Sequence, residues 1–292
     1  MSNSASSFTG VSSGYTAGTP VPADSPIRDN IADAVRRVRE TTPLAQSFTN
    51  FVTINLVANA QLAAGGTAAM SFLPDDVIET AKIAGANYIN VGTLLPFYKD
   101  ALPEIAQRLN YLDKPWVLDP VGVGMPWRTQ VALDALHVGA PAVIRANASE
   151  VLTLAGTGAS SRGPEAGDTV EDALGSAAEL VRTYGTVVAI SGPVDHIVDA
   201  RRHVTVSSGH EWMARVTGVG CSLGALTAAF AGVQKDHLIA ATSATAMLCV
   251  AAERAADRSV GPGGFAQALI DELFLVSPDE VGARGGLRDV TA

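Results

Sequence analysis

"PWVLDPVG", residues 115–122, decides the fold. An uninterrupted apolar run stops at Asp119, and Pro120 and Gly122 hold a tight turn directly behind it. A strand that is apolar without alternation is buried on both faces, the condition of a parallel sheet covered by helices. Three other runs have the same form: "NYINVG" (87–92), "PAVIRAN" (141–147) and "TVVAISG" (186–192). Each is rich in Val and Ile, ends at Gly, Pro or Asn, and is followed by a helical stretch or a turn. Strands and helices in alternation define an α/β protein with a mostly parallel central sheet and helices on both faces. "HIVDARRHVTV" (196–206) reads as two short strands joined by a polar turn, a local antiparallel addition.

Outward from these strands, a polar helix is expected over 27–40, and two Ala-rich helices over about 222–233 and 237–256. "GPGGF" (261–265) breaks the second and starts a last helix at 265–274. The first 26 residues are mostly Ser, Thr, Gly and Pro, too poor in apolar area to offset the entropy of ordering, so a flexible leader is expected over 1–26. "GTGASSRGPEAGD" (156–168) is expected to be a mobile loop on its Gly and Ser content. Residues 277–292 read as a loose C-terminal tail. A single domain over 27–276 remains.

The chain has 292 residues, 47% of them hydrophobic and 17% charged, enough for a substantial core. Net charge is −9 and no run of Lys or Arg occurs, which argues against nucleic acid as a partner because phosphate backbones need a basic surface. A small phosphorylated ligand feels the local field and stays allowed. The two cysteines, Cys221 and Cys249, form no Cys-x-x-Cys pair and give neither a disulfide framework nor a thiolate zinc site. A reducing cytoplasm is the natural setting. Residues 216–233 carry no charge, close to the length of a membrane span, but four glycines interrupt them and Lys235 and Asp236 follow, so a buried helix of a soluble core is expected and no membrane. The N-terminus shows neither a signal peptide nor an Arg-rich presequence.

In open α/β sheets ligands sit at the carboxyl ends of the strands. Asp119 ends one run, Asn147 and Glu150 follow another in "RANASE", and Ser191 with Gly192 ends a third. Asp119 and Glu150 on neighbouring strand ends are candidate holders of a hard cation such as Mg²⁺, mostly through water. For Glu150 the alternative is a capping box with Asn147. No P-loop motif and no complete G-x-G-x-x-G after a strand is present, which disfavours a P-loop NTPase and an ordinary Rossmann dehydrogenase.

What remains is Gly218-Val219-Gly220-Cys221, at the mouth of the helix in "RVTGVGCSLGALTAAF" (215–230). Glycines let backbone N–H groups point into a pocket, an anion cradle, although close helix–sheet packing explains a Gly-x-Gly equally well. The helix N-terminus favours an anion and also a thiolate. With an acceptor hydroxyl beside Cys221, the arrangement suits phosphoryl transfer, the cysteine acting as base or only as polariser.

Together these residues resemble the hydroxyethylthiazole kinase family of the ribokinase-like superfamily. The resemblance spans roughly 43–274 and is carried by "SFTNFVTINLVANAQLAAGGTAAM" (47–70), "NVGT" (90–93), "LDPVGVG" (118–124), "IRANASE" (144–150), "TGVGC" (217–221) and "GPGGF" (261–265). It implies a three-layer ribokinase-like fold and ATP-dependent phosphorylation, with Mg²⁺, of the alcohol of 4-methyl-5-(2-hydroxyethyl)thiazole in thiamine salvage. Asn50 and Met70 would line the thiazole site, with Gly218 near its alcohol. Arg145 would hold ATP phosphates, Ser191 would contact nucleotide, and Asp119 and Glu150 would lie in the Mg²⁺ region. Gly218, Val219 and Gly220 would form the anion hole. Cys221 would replace the aspartate that most ribokinase-like relatives use as base.

A homotrimer with thiazole sites between subunits is implied on the same ground. Three positions depart from the family pattern: Val219 where Thr is frequent, Ala146 for Gly, and Ser191 for Thr. None removes a charge. The rival readings are a kinase of another small alcohol (hydroxymethylpyrimidine or pyridoxal) and a catalytically silent protein binding the thiazole or a nucleotide.

Overall fold

A computed structural model describes residues 18–157 and 169–291. In chain order its elements are β1 (Thr19–Pro20), α1 (Pro26–Thr41), β2 (Leu44–Phe48), α2 (Ile54–Ala64), β3 (Thr67–Met70), α3 (Pro74–Ile83), β4 (Ala86–Asn90) and α4 (Tyr98–Tyr111). There follow β5 (Trp116–Asp119), α5 (Pro126–Val138), β6 (Val143–Asn147), α6 (Ala148–Leu154), α7 (Val170–Tyr184), β7 (Val187–Ser191), β8 (Asp195–Val198) and β9 (His203–Val206). A 3₁₀ turn (Glu211–Arg215), α8 (Val219–Ala231), α9 (His237–Asp257), α10 (Pro262–Leu275), α11 (Pro278–Arg284) and β10 (Leu287–Asp289) complete the chain.

All the strands join one sheet in the order β1-β10-β9-β8-β7-β6-β5-β4-β2-β3. From β3 to β7 every pairing is parallel, and from β7 outward to β1 every pairing is antiparallel. The four apolar runs become β4 to β7, adjacent strands of the parallel half, and the expected hairpin becomes β8 and β9. The helices separate into two layers, each with its own core. One core joins residues of α1, α2 and α8 to α11, and the other joins residues of α3 to α7. Strand residues alternate between these layers, as the pleat requires: Tyr88, Val117 and Val143 belong to the first core, Ile89, Leu118 and Ile144 to the second. Burial on both sides is why these strands carry no polar alternation. α9 has a length and composition sufficient to cross a membrane, but its most apolar stretch is 89% buried inside the fold.

The two ends of the chain differ from expectation. Residues 277–292, read as a loose tail, form α11 and β10. Ser277 caps α11 by accepting from Glu280 N–H, Pro278 occupies its first turn, and Val281 is fully buried. Arg28 fixes α11 to α1 by donating from Nη1 to the carbonyls of Gly282 and Ala283, each at 2.7 Å. The leader, expected to be flexible over 1–26, is described only from Gly18. There β1 pairs with β10, and Val21 N–H donates to Leu287 O at 3.0 Å. Residues 1–17, and 158–168 of the loop expected to be mobile, lie outside the described residues.

Candidate active site

Alternation along the strands places the site. Counting from their carboxyl ends, Asn90 and Tyr88 on β4, Asp119 on β5, Arg145 on β6 and Ser191 on β7 have the same parity as the strand residues that pack toward α8. α8 crosses over these strand ends. A Cβ at Gly224 would collide with the Tyr88 ring and stand 3.1 Å from Asp119 Oδ2, so only glycine lets the helix lie this close.

The N-terminus of α8 is the turn quoted from the sequence. Gly218 is its N-cap at φ +101°, a left-handed conformation that costs glycine nothing. Val219 N–H makes a long bond of 3.4 Å back to Val216 O. Among the described residues the N–H groups of Gly220 and Cys221 have no such backbone partner and are the freer donors of the turn. Arg145 lies against this turn, with Nη1 3.0 Å from where a Cβ of Gly220 would stand. Its Nη2 donates to Ser191 Oγ at 2.8 Å, and its Nη1 is 3.7 Å from Asp119 Oδ1. Burial works against the guanidinium's charge, and Asp119 and Glu150 more than restore it, so its pKa rises.

Behind the turn is a buried hydrogen-bond cluster. Tyr88 donates to Asp119 Oδ2 at 2.6 Å, and Asn90 Nδ2 lies 2.8 Å from the Tyr88 hydroxyl, 3.2 Å from Asp119 Oδ2 and 3.4 Å from Cys221 Sγ. Asn50 Nδ2 also reaches Cys221 Sγ at 3.4 Å. Burial, more than the helpful charge of Arg145, raises the Asp119 pKa. Burial first, and then the charge of Asp119, raises that of Cys221. The thiolate expected from the helix N-terminus is therefore opposed, and the resting side chain is a thiol.

Glu150 forms the capping box that the sequence offered as the alternative to a metal-holding role. Its Oε2 accepts from Asn147 N–H at 2.9 Å and Asn147 Oδ1 accepts from Glu150 N–H at 2.9 Å, a complete capping box. Its Oε1 accepts from Gly122 N–H at 3.1 Å, tying it to the turn behind Asp119. Its pKa is raised by burial first and by Asp119 second. Asp119 Oδ1 is buried without a hydrogen-bond partner. An orphaned carboxylate oxygen beside a second carboxylate fits a hard cation held largely through its other ligands, although no cluster of three or more acidic, His or Cys side chains of metal-binding kind occurs among the described residues.

The structure thus gathers Asn50, Asp119, Arg145, Ser191, Glu150 and Gly218 to Cys221 at the carboxyl ends of the parallel strands. Met70 closes edge strand β3, in register with Ser47 of β2, half-buried and outside the hydrogen-bonded cluster. Tyr88 and Asn90 were not singled out from the sequence. The signal for Asn90 existed: it is a polar residue near the end of its apolar run, and it closes β4 as Asp119 closes β5, the two in register.

The hydroxyethylthiazole kinase family model matches residues 35–279. A hydroxyethylthiazole kinase of Cutibacterium acnes is 68% identical over 262 residues, 90% of this chain and 95% of that protein. Among solved structures, a hydroxyethylthiazole kinase protein from Pyrococcus horikoshii is 37% identical, with a TM-score of 0.82 over 90% of this chain and 99% of its own. A pyridoxal kinase from Staphylococcus aureus, solved with AMP-PCP and pyridoxal, shares the fold at 18% identity, with a TM-score of 0.53 over 73% of this chain and 88% of its own.

Proposed function

Because the chain belongs to the hydroxyethylthiazole kinase family, we propose that Cys221, the turn at 218–220 and Arg145 carry its reaction, transfer of the γ-phosphoryl of ATP to the alcohol of 4-methyl-5-(2-hydroxyethyl)thiazole. The chain is a phosphotransferase with an alcohol as acceptor and ATP as co-substrate, and its product returns the thiazole half to thiamine. One observation carries the assignment of residues. The Arg145 guanidinium lies over Gly220, one residue from Cys221, so a phosphate-binding cation and a proton-accepting atom meet at the same turn.

Arg145 and Ser191 hold the nucleotide phosphates, and the planar fork of Arg145 suits that task. The N–H groups of the turn at 218–220 take up charge on the moving phosphoryl. The thiazole lies toward Asn50, Met70 and Gly218, with its hydroxyl at Cys221 Sγ. In the transfer, the alcohol proton passes to the thiolate form of Cys221. The alcohol oxygen bonds to the γ-phosphorus, the bond from that phosphorus to the β–γ bridging oxygen breaks, and ADP leaves. A loose transition state asks little of the base, so a small thiolate fraction suffices. Asp119 and Glu150 would hold Mg²⁺, which when bound neutralises polyphosphate charge.

The reading extends to a homotrimer in the cytoplasm. The exposed apolar side chains Phe51, Val52 and Leu73, close in sequence to Asn50 and Met70, support a second copy covering the rim of the site, and light scattering of the purified protein reads the assembly directly.

The test is ADP release from Mg-ATP with hydroxyethylthiazole, pyridoxal, hydroxymethylpyrimidine or no acceptor. Turnover that depends on the thiazole is expected. Preference for pyridoxal or the pyrimidine, or saturable thiazole binding without any turnover, would overturn the reading.

A further inference from the structure

Two asparagine side chains reach Cys221, and both are held in one orientation by backbone groups. Gly92 N–H donates to Asn90 Oδ1 at 2.8 Å, and Thr53 N–H donates to Asn50 Oδ1 at 3.1 Å. A backbone N–H has only a hydrogen to offer, so the atom facing it is the carbonyl oxygen of each amide. The opposite end of each, Nδ2, then faces the sulfur, at 3.4 Å in both cases. Asn50 Nδ2 also donates to Asn90 Oδ1 at 3.2 Å, which locks the two amides to each other. Flipping either one would set an amide N–H against a backbone N–H in a buried site, where an unmatched donor is costly.

We propose that Asn90 and Asn50 form a two-amide cradle that fixes Cys221 Sγ as a hydrogen-bond acceptor and stabilises negative charge on it. In the cradle both are positioning residues, acting on the reaction through the sulfur, Asn50 in addition to its place beside the thiazole. The cradle answers a specific difficulty of the site, because burial and the Asp119 carboxylate work against a thiolate, while the Thr53 and Asn50 side chains, and after them the charge of Arg145, only partly offset them. Two N–H donors aimed at the sulfur are what a buried proton acceptor needs in place of water. The second hydrogen of Asn90 Nδ2 faces Tyr88 and Asp119, so the same amide separates the sulfur from the nearest carboxylate.

This inference deepens the reading of Cys221 as proton acceptor, and its test does not depend on turnover. In a Cys249→Ser background Cys221 is the sole thiol of the chain. Its alkylation by iodoacetamide at mildly alkaline pH then reports the thiolate fraction, and retention of a cooperative thermal transition is checked for each variant. Asn90→Leu removes the donor without adding charge, Asn90→Asp replaces it with an acceptor, and Asn50→Ala removes the other donor, from the loop that follows β2. Each is expected to slow alkylation about 10-fold, the worth of a hydrogen bond to a charged group. Each is also expected to lower kcat with thiazole while changing the KM for ATP little.

Unchanged or faster alkylation in Asn90→Leu and Asn50→Ala would overturn the cradle, and so would slowing confined to Asn90→Asp, which would be the work of added charge. Full turnover by Cys221→Ala would instead remove the catalytic reading, with the alkylation result standing apart from it.

Discussion

Tyr88 donates its phenolic hydrogen to Asp119 across 2.6 Å, with both residues fully buried beneath α8. The bond holds the carboxylate at the strand end, where its other oxygen is left for the site. Tyr88→Phe removes the shortest of the donors to Asp119 Oδ2 and leaves Asn90 at 3.2 Å. A loss of about 1–3 kcal/mol in stability is expected, the usual result of leaving a buried acceptor short of a partner. Urea unfolding is the measurement: the midpoint should fall with little change in slope. An unchanged midpoint would show that Asn90 alone suffices.

Arg145 reaches Ser191, Asp119 and the Gly220 turn at once. Arg145→Ala should raise the KM for ATP by about 10- to 100-fold, the range expected for charge-assisted hydrogen bonds to phosphate. Arg145→Lys should recover only part of this, because an ammonium cannot bond in a planar fork. Ser191→Ala should show a smaller rise. Steady-state kinetics over a range of ATP concentrations decides it. A defect confined to the KM for the thiazole would place Arg145 at the wrong end of the reaction.

The sheet was legible where it is most deeply buried. β4 to β7 are covered on both faces, so their apolar runs carry no alternation and stand out. β2 and β3 are less visible because "LAQSF" and "TAAM" are short and mix small and polar residues. β10 is held by β9 and β1 by β10, pairings between segments far apart in the chain that no local pattern encodes. α11 did have a local signal, Ser277 followed by Pro278 and Glu280, which the looseness expected of a terminus masked. Of the site, the strand-end rule reached Asp119, Glu150 and Ser191. The roles proposed for Arg145, Asn50 and Met70 rest on motif resemblance. Tyr88 escaped both because it points from within a strand.

Asp195 gives the pH dependence of stability a definite sign. It lies at the start of β8, with Oδ1 accepting from Gly192 N–H at 3.0 Å and Oδ2 3.7 Å from Cys249 Sγ. Burial pushes its pKa up to about 6, against the help of the Gly192 N–H. Between the ordinary carboxylate range and about 6, the folded chain therefore holds this proton more tightly than the unfolded one. Stability from this group is full below that window and lost as pH rises through it. Asp195→Asn keeps an acceptor for Gly192 and removes the proton. The variant should gain on the wild type across the window, by roughly 2–3 kcal/mol at neutral pH. Thermal melts from pH 4 to 7 read the difference. Parallel curves for the two proteins would contradict the assignment. Asp119 and Glu150, also raised, contribute with the same sign and should leave a residual slope in both.

The central claim is that Cys221, at the mouth of α8 and within reach of two amide donors, occupies the position of the base. Replacement by Ala should lower turnover while leaving ATP binding nearly intact. Replacement by Asp puts a carboxylate at the same helix mouth, able to accept the alcohol proton. The most direct measurement is kcat with hydroxyethylthiazole for the wild type, Cys221→Ala and Cys221→Asp, each checked for folding and ATP affinity. The account predicts a loss in Cys221→Ala and activity kept or raised in Cys221→Asp. Wild-type turnover in Cys221→Ala, or a folded, ATP-binding Cys221→Asp protein without activity, would contradict it.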